Sequence, residues 1–463
     1  MISKSNKANP NYLAKVIRLS NIRKHSNADR LQVVTIDGNN VITGMNAQEG
    51  MVYIYFPLES ALNKDYLSFS NSFAESELNR DKEAKGYFQK TGRVRATRLR
   101  NERSEGYMVP AADISHWLKE SYGHDFFFSD EQVGTEFDTV CGILLCEKYV
   151  NYEQLRKLKG EKKKEKGKEK VKRFNRVLED QFRFHIDTLQ LKKFVHNIKE
   201  DDKVWITKKL HGTSVVLSKV LCKRKLSILE KFAKFLGVKV QESQYDLLYS
   251  SRKVVKNGFL DPKDNNNNHY YSTDVWGDCA KKYGEFLKDG ITLYGEIVGF
   301  TKDGSPIQKS YDYGCVPKEF DLYVYRATIT SDKGDVYEMS VAQLKRYCEK
   351  YGIKVVPELF YGTPLEFLSE ADGIPIYAID SRNYQSNFLN TAQSEYLEKD
   401  CSMCQNKVPD EGICVRVDKP FEIEVYKLKS FKFLEHETKM LDKGEIDIET
   451  EQSEPSLEDS KVD

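Results

Sequence analysis

Residues 207–219 read TKKLHGTSVVLSK. A strand-length run, KVWITKKL from Lys203, ends in the adjacent lysines Lys208 and Lys209; Leu210, His211, Gly212, Thr213 and Ser214 follow, and SVVLSKV resumes an apolar strand. Working outward, similar runs recur at ITLYGEIVGF (291–300), FDLYVYRATI (320–329), GICVRVD (412–418) and FEIEVYKLKS (421–430). Between them lie helical patterns such as SVAQLKRYCEKYG (340–352). Strands interleaved with helices in this way make an α+β unit from about residue 181 to 440, with largely antiparallel sheets.

The N-terminal third reads differently. NYLAKVIRL (11–19), RLQVVTIDGNNVITG (30–44, with a turn at Gly38-Asn39-Asn40), MVYIYFPL (51–58) and RVRATRLR (93–100) are short strands with turn punctuation. Strands of this length and spacing have the proportions of a small β-barrel, of which the OB-fold is one solution; a sandwich fits the same pattern. Residues 1–150 are therefore expected to form one domain.

Lys157–Arg173 carries ten basic and three acidic residues, a local net of +7, with few apolar side chains. Such a stretch cannot bury enough surface to offset its ordering entropy, so 151–180 is read as a Lys-rich linker, solvated or a frayed helix, open to serving as a phosphate-attracting arm. Leu441–Asp463 carries nine acidic and two basic residues and is expected to be a disordered acidic tail. The chain's net charge of +1 is partly a cancellation between these two segments, so it identifies no partner.

At 463 residues the chain is long enough for two or three domains, and 40% hydrophobic against 31% charged residues excludes global disorder. No stretch approaches eighteen consecutive apolar residues, and MISKSNKANPNY lacks the apolar core of a secretory signal, so a cytoplasmic protein is expected. Nine scattered cysteines fit reduced thiols there. Cys401 and Cys404 form a CxxC pair; a structural zinc needs four ligands, and no second CxxC or His pair is near, which leaves a packed or solvent-facing thiol pair as the main reading.

Lys209-Leu210-His211-Gly212 resembles motif I, Lys-x-Asp-Gly or a near variant, of the covalent nucleotidyltransferases: DNA ligases, RNA ligases and mRNA guanylyltransferases. Alone, a lysine before a turn is ordinary surface structure. Five more matches follow in the family's order: Arg252 in YSSRKVV at motif Ia, Glu296 in ITLYGEIVGF at motif III, FDLYVYRAT at motif IIIa, Glu411 in PDEGICVRV at motif IV, and Lys427 and Lys429 in VYKLKS at motif V. The resemblance implies that Lys209 is the catalytic nucleophile and that Lys208, His211, Gly212, Arg252, Glu296, Lys427 and Lys429 bind nucleotide. Tyr325 would stack on the purine, with Phe320 the alternative. Glu296 and Glu411 would serve a divalent ion, Mg2+ or Mn2+, directly or through its waters.

The chemistry suits the residue types. A lysine amine attacks phosphorus only when unprotonated. Lys427 and Lys429, two apart on a strand, project to one face, where paired ammonium groups can hold an α-phosphate. Carboxylates buried in apolar strands are costly unless a cation meets them, so an internal ion pair is the other reading of Glu296 and Glu411. His211 departs from the usual Asp, which leaves the role of that side chain open. Arg183, His185 and Asp187 in QFRFHIDTLQL precede the first strand, either as nucleotide contacts or as a folded lead-in.

Domain order separates the relatives. DNA ligases and capping enzymes carry an OB-fold after motif V; here about thirty-four residues follow Lys429, and most of the rest of the chain lies before motif I. That order resembles the RNA ligases of the Deinococcus type, and His25-Ser26-Asn27-Ala28-Asp29-Arg30-Leu31 resembles a turn that opens OB-fold tRNA-binding domains. The resemblance implies an OB-like barrel followed by an α+β, ATP-grasp-like nucleotidyltransferase domain, using ATP to join 5′-phosphate and 3′-hydroxyl RNA ends, as at a duplex nick. Arg252, with Arg93, Arg95 and Arg98 in RVRATRLRNER, would contact RNA. The alternatives are a GTP-dependent capping guanylyltransferase and a nucleic-acid-binding protein whose transferase domain has decayed.

Overall fold

The computed structural model describes residues 1–150, 174–261, 271–419 and 421–443. The charge run 157–173 and nearly all of the acidic tail lie outside the described residues. Two compact units form: one holds Met1–Asn151 with Leu434–Asp442, the other the described residues between them.

The first unit contains β1 (Ala14–Arg18), β2 (Ile22–Lys24), β3 (Leu31–Ile36), β4 (Asn39–Gly44), β5 (Val52–Pro57), β6 (Thr97–Leu99), β7 (Glu102–Ser104), β8 (Gly106–Pro110), α1 (Ala111–Tyr122) and β9 (Glu136–Phe137). The antiparallel sheet β8-β5-β1-β9 lies over the apolar face of α1, where Ile114, Trp117 and Leu118 are buried. A second sheet runs β2-β3-β4, and β6-β7 is a separate hairpin. Among the described residues no sheet closes on itself, so the strand pairing is that of open sheets, and the expected OB-like barrel, closed or nearly closed, is not evident in it.

The β3-β4 turn is Asp37-Gly38, one residue earlier than expected. Ile36 pairs with Asn39, and φ is 46° at Asp37 and 72° at Gly38. Two positive-φ residues in a two-residue loop match the twist of the flanking strands, which draws Asn39 and Asn40 into β4. The turn at His25 is clamped from inside: Asn27 N donates to His25 Nδ1 at 3.0 Å, the buried His25 Nε2 meets Leu99 O at 3.1 Å, and Ser26 N donates to Glu102.

The second unit holds two sheets. Its elements are β10 (Leu189–Gln190), β11 (Val204–Lys209), β12 (Thr213–Lys223), α2 (Ile228–Phe235), β13 (Ser243–Ser250), α3 (Val275–Tyr283), β14 (Ile291–Gly299), β15 (Phe320–Thr330), β16 (Val336–Glu338), α4 (Val341–Lys350), β17 (Lys354–Val355), β18 (Glu358–Gly362), α5 (Pro364–Asp372), α6 (Tyr384–Tyr396), β19 (Gly412–Val417), β20 (Glu424–Lys429) and α7 (Phe431–Asp442), whose residues from Leu434 cluster with the first unit. One sheet is β10-β20-β19-β11-β18; the other is β13-β12-β14-β15-β16, with β17 parallel to β15. Apart from β10 and β17 the pairs are antiparallel, so the chain is α+β with mainly antiparallel sheets.

The faces of the first of these sheets decide where its lysines go. Val204, Ile206, Ile413, Val415, Val417, Tyr426 and Leu428 pack in one core with Phe367 of α5 and Phe388 of α6. Side chains alternate along a strand, so Lys209, Lys427 and Lys429 project from the opposite face. In the other sheet, Val215, Leu217, Leu293, Ile297 and Val324 share a core with Trp276 of α3 and Leu344 of α4. Residues 174–180, assigned above to the linker, are folded against this unit: the buried Arg176 donates to Leu247 O at 2.8 Å and to Asn257 O at 2.9 Å and pairs with Asp246.

Candidate active site

Strand register brings three of the expected residues together. Lys209 is opposite Gly412, which is opposite Lys429; two residues along, Thr207, Cys414 and Lys427 form the next row. Glu411 sits just before β19, and its carboxylate is almost fully buried. Lys209 Nζ lies 2.7 Å from Glu411 Oε1 and Lys429 Nζ 3.6 Å from the same oxygen. Lys208 belongs to the other row, opposite Ile413, and its Nζ binds Asp410 Oδ2 at 2.6 Å. The two adjacent lysines are thus sorted by the pleat.

The backbone around Glu411 is pinned. Tyr311 Oη donates to Pro409 O at 2.8 Å, Ser430 Oγ to Asp410 O at 2.7 Å, and Ser430 N to Glu411 O at 2.9 Å. Gly412 has φ of 143°, and a Cβ there would come 2.1 Å from Leu428 O. Only glycine lets β19 approach β20 that closely.

The loop after Lys209 is tied to β14. Gly212 N donates to Glu296 Oε1 at 3.2 Å, Ser214 Oγ to Glu296 Oε2 at 3.2 Å, and Gln308 Nε2 to Gly212 O at 2.8 Å. A Cβ on Gly212 would stand 2.3 Å from Ile297 O and 2.9 Å from Glu296 Cγ. Its small size serves the packing of this loop on the strand that carries Glu296. His211 is held by its backbone, which donates to Tyr313 Oη at 2.7 Å, and by ring-edge packing against Tyr311 and Phe433, each 5.0 Å away. Its Nδ1 lies 3.8 Å from Glu411 Oε2. Burial pushes the phenols of Tyr311 and Tyr313 far up, so both stay neutral, Tyr311 donating to Pro409 O and Tyr313 accepting from His211 N.

Tyr325, Arg252 and the lead-in segment meet on the other sheet. In β15, Val324 pairs with Gly295 and Arg326 with Tyr294, leaving Tyr325 as the extra residue of a β-bulge. Bulges re-aim side chains. The Tyr325 hydroxyl hydrogen-bonds His185 Nδ1 at 2.8 Å, and Arg252 Nη2 donates to Asp187 Oδ1 at 2.8 Å. The segment Arg183–Asp187 is therefore a folded strap across this sheet, with Tyr294 Oη also donating to Arg183 O at 3.2 Å. Phe320 lies in the apolar core with Lys282 Nζ over its ring at 5.1 Å.

Tyr311, Tyr313, Phe433, Gln308 and Asp410 escaped the sequence reading. Only Asp410 carried a signal, as the acidic neighbour of Glu411 beside a lysine pair. The three arginines expected at RNA are in the first unit and engaged there: Arg93 and Arg95 with Asp442 at 3.0 and 3.2 Å, Arg98 with Glu435 at 3.2 Å.

All nine cysteines are free thiols, and Cys401 and Cys404 hydrogen-bond to each other. Among the described residues no three His, Cys, Asp or Glu side chains form a group that could hold a metal ion by themselves. Mg2+ and Mn2+ commonly take one or two carboxylates and complete their shell with water and substrate phosphates, so the oxygen donors of Glu296 and Glu411 fit such an ion beside a nucleotide. Among the described residues no helix is long and apolar enough to cross a membrane.

A lysine-lined face beside a buried carboxylate has charge complementary to phosphates. Residues 202–434, half of the chain, match the RNA ligase family model, and the chain belongs to the RNA ligase family. No curated protein sequence matches it. The fold is similar to that of a Naegleria gruberi RNA ligase mutant with AMP and Mn, at 15% identity and TM-score 0.51, over 92% of this chain and 98% of that one. A second mutant of the Naegleria enzyme, with ATP and Mn, matches at 16% identity with the same TM-score and coverage.

Proposed function

We propose that the chain is an ATP-dependent RNA ligase that joins a 5′-phosphate to a 3′-hydroxyl at RNA ends, in particular at duplex nicks. The observation that carries this reading is the row Lys209-Gly412-Lys429 around Glu411 within a region of RNA ligase sequence. ATP and a divalent ion are suggested by the Naegleria enzyme, which has been crystallised with both.

In the first step the neutral Lys209 amine attacks the α-phosphorus, forming a P–N bond and expelling pyrophosphate, while the lysine proton passes to solvent or a nearby acceptor. In the second, an RNA 5′-phosphate oxygen attacks the same phosphorus, the P–N bond breaks, and Lys209 leaves as an amine after taking up a proton. In the third, a 3′-hydroxyl attacks the activated 5′-phosphate, loses its proton and expels AMP. Each step is an in-line displacement, so the protein mainly positions groups and offsets charge.

Lys429 and Lys427, on the nucleophile's face, would hold the α-phosphate. Glu411 orients Lys209, and Glu296 fixes the loop that follows it. A divalent ion bound by these carboxylates would offset triphosphate charge. Tyr325 would meet the base, and Arg252 the ribose or an RNA phosphate. The first unit, with its short antiparallel strands, would be the OB-like RNA-binding part, in the domain order of the Deinococcus-type ligases. Incubation with α-labelled ATP or GTP tests the reading: covalent label from ATP supports it, label from GTP alone points to a capping enzyme, and label from neither refutes both. Sealing of a nicked RNA duplex by the same preparation tests the substrate.

A further inference from the structure

The hairpin β12-β13 carries an unusual insertion. Lys223 pairs with Ser243, so residues 224–242 form its connection, far longer than the two to five residues usual in a hairpin. Inside it, α2 buries no residue at all. Ile228, Leu229, Phe232, Phe235 and Leu236, with Val238 just beyond, are between 55% and 85% exposed. At helical spacing the five helix-region residues fall on one face, and Glu230, Lys231 and Lys234 on the other. The helix is nevertheless well formed: Ser227 and Glu230 make a capping box.

Charge indicates what covers this face. From Arg224 to Glu242 there are five basic residues, Arg224, Lys225, Lys231, Lys234 and Lys239, against Glu230 and Glu242, a local net of +3; Arg224 pairs with Glu230 and Lys234 with Glu242, while Lys225, Lys231 and Lys239 carry the net positive charge. A short helix with a large aliphatic and aromatic face and a basic flank is the composition of one that lies in a membrane interface. A second copy is a poor partner, because it would bring two segments of net +3 together, and one eight-residue helix buries far less than the roughly 1,200 Å² of a stable interface. RNA fits less well, since Phe232 and Phe235 could stack on bases but Ile228, Leu229, Leu236 and Val238, the larger part of the face, could not.

We propose that α2 is a peripheral membrane anchor, seating its apolar face in the headgroup boundary of an anionic bilayer while the surrounding lysines meet the lipid charges. Geometry within the unit suits this. α2 follows the Lys223 end of β12, whereas Thr213 at the other end adjoins the Lys209 loop; ten residue steps separate them, about 33 Å of strand. Docking by the helix leaves the lysine face free for nucleotide and RNA.

The test is co-flotation of the full chain with phosphatidylcholine vesicles, with and without about one third phosphatidylserine. Recovery with the anionic vesicles is expected, falling at high salt as the lipid charge is screened. Phe232→Ser/Phe235→Ser and Lys225→Glu/Lys231→Glu should each reduce recovery roughly tenfold or more, with ATP-dependent labelling of the chain unchanged. A Phe232→Trp protein should show a blue-shifted emission component on adding vesicles, since Trp117, Trp205 and Trp276 are already buried. Recovery no greater with anionic vesicles than without vesicles would overturn the proposal, as would full recovery of the Phe232→Ser/Phe235→Ser protein. A dimer in light scattering that this variant dissolves, or RNA affinity that it abolishes, would assign the face to a second copy or to RNA instead.

Discussion

Lys209 and Lys429 share one oxygen of Glu411, at 2.7 and 3.6 Å from Oε1, on a carboxylate only 1% exposed. A buried carboxylate between two ammonium groups balances part of their charge and leaves a net cationic site. Such a site suits a phosphate, which can take up the remaining charge without further rearrangement of the strands. The pairing also fixes which of two adjacent lysines addresses that site.

Lys209→Ala should abolish the covalent nucleotide adduct, whereas Lys208→Ala, which removes the partner of Asp410 and Ser402 on the opposite face, should retain it at reduced yield. Denaturing gels of protein incubated with labelled ATP read both. An adduct on the Lys209→Ala protein would end the assignment.

Removing Glu411 should cost more than removing an ordinary surface carboxylate. Glu411→Gln keeps the shape but leaves Lys209 and Lys429 facing each other without a charge between them, so adduct yield should fall by about 100-fold. Glu296→Ala should act through position, releasing the Gly212 and Ser214 hydrogen bonds that hold the loop after Lys209. Excess chelator should abolish adduct formation by the intact chain; full labelling under chelation would remove the divalent ion from the scheme.

The lysine row was legible because it depends on local rules: alternation along a strand places Lys427 and Lys429 together, and the order of the short motifs singles out Lys209, Glu296 and Glu411. The aromatic wall of Tyr311, Tyr313 and Phe433 was not, because it is assembled from a loop and a helix start whose proximity depends on the tertiary fold. Tyr325 was named from its motif, but a bulge sets its direction, and no periodic pattern discloses an inserted residue. In the first unit the strands were visible but their division into separate open sheets was not, since that depends on which edges pair over long sequence separations.

Acid should weaken the first unit through Glu102. The hydrogen-bonded guanidinium of Arg23 holds its carboxyl down at about 2, with burial opposing and the N–H of Ser26 assisting. A carboxyl whose folded value lies below its unfolded one, 4.5, adds stability that is fully present above the unfolded value and is lost as pH falls towards 2. The stability gap between the intact chain and Glu102→Gln should therefore be constant from pH 8 to about 5 and shrink below that. Urea unfolding at pH 7 and pH 3.5 checks this, and a gap that widens at low pH would contradict it.

The arginines of RVRATRLR should divide by burial, and their variants can separate a structural role from an RNA role. Arg93 is 3% exposed, pairs with Asp442 and lies over the ring of Tyr149, so it is part of the packing of the first unit. Arg93→Ala should lower unfolding stability by about 1.5–3 kcal/mol, the usual worth of a hydrogen bond to a charged group. Arg98 is 36% exposed, and its pair with Glu435 is of the surface kind, worth at most about 1 kcal/mol. Its guanidinium can exchange Glu435 for a phosphate at little cost. Arg98→Ala should thus leave stability nearly unchanged, weaken binding of nicked RNA uniformly across sequences, and reduce the slope of log K against log salt by about 1. Glu435→Gln, which removes the competing carboxylate, should strengthen binding. Filter binding over a salt series, run beside urea unfolding of the same preparations, distinguishes the two residues; an Arg98→Ala protein with an unchanged salt slope would exclude that side chain from the RNA contact.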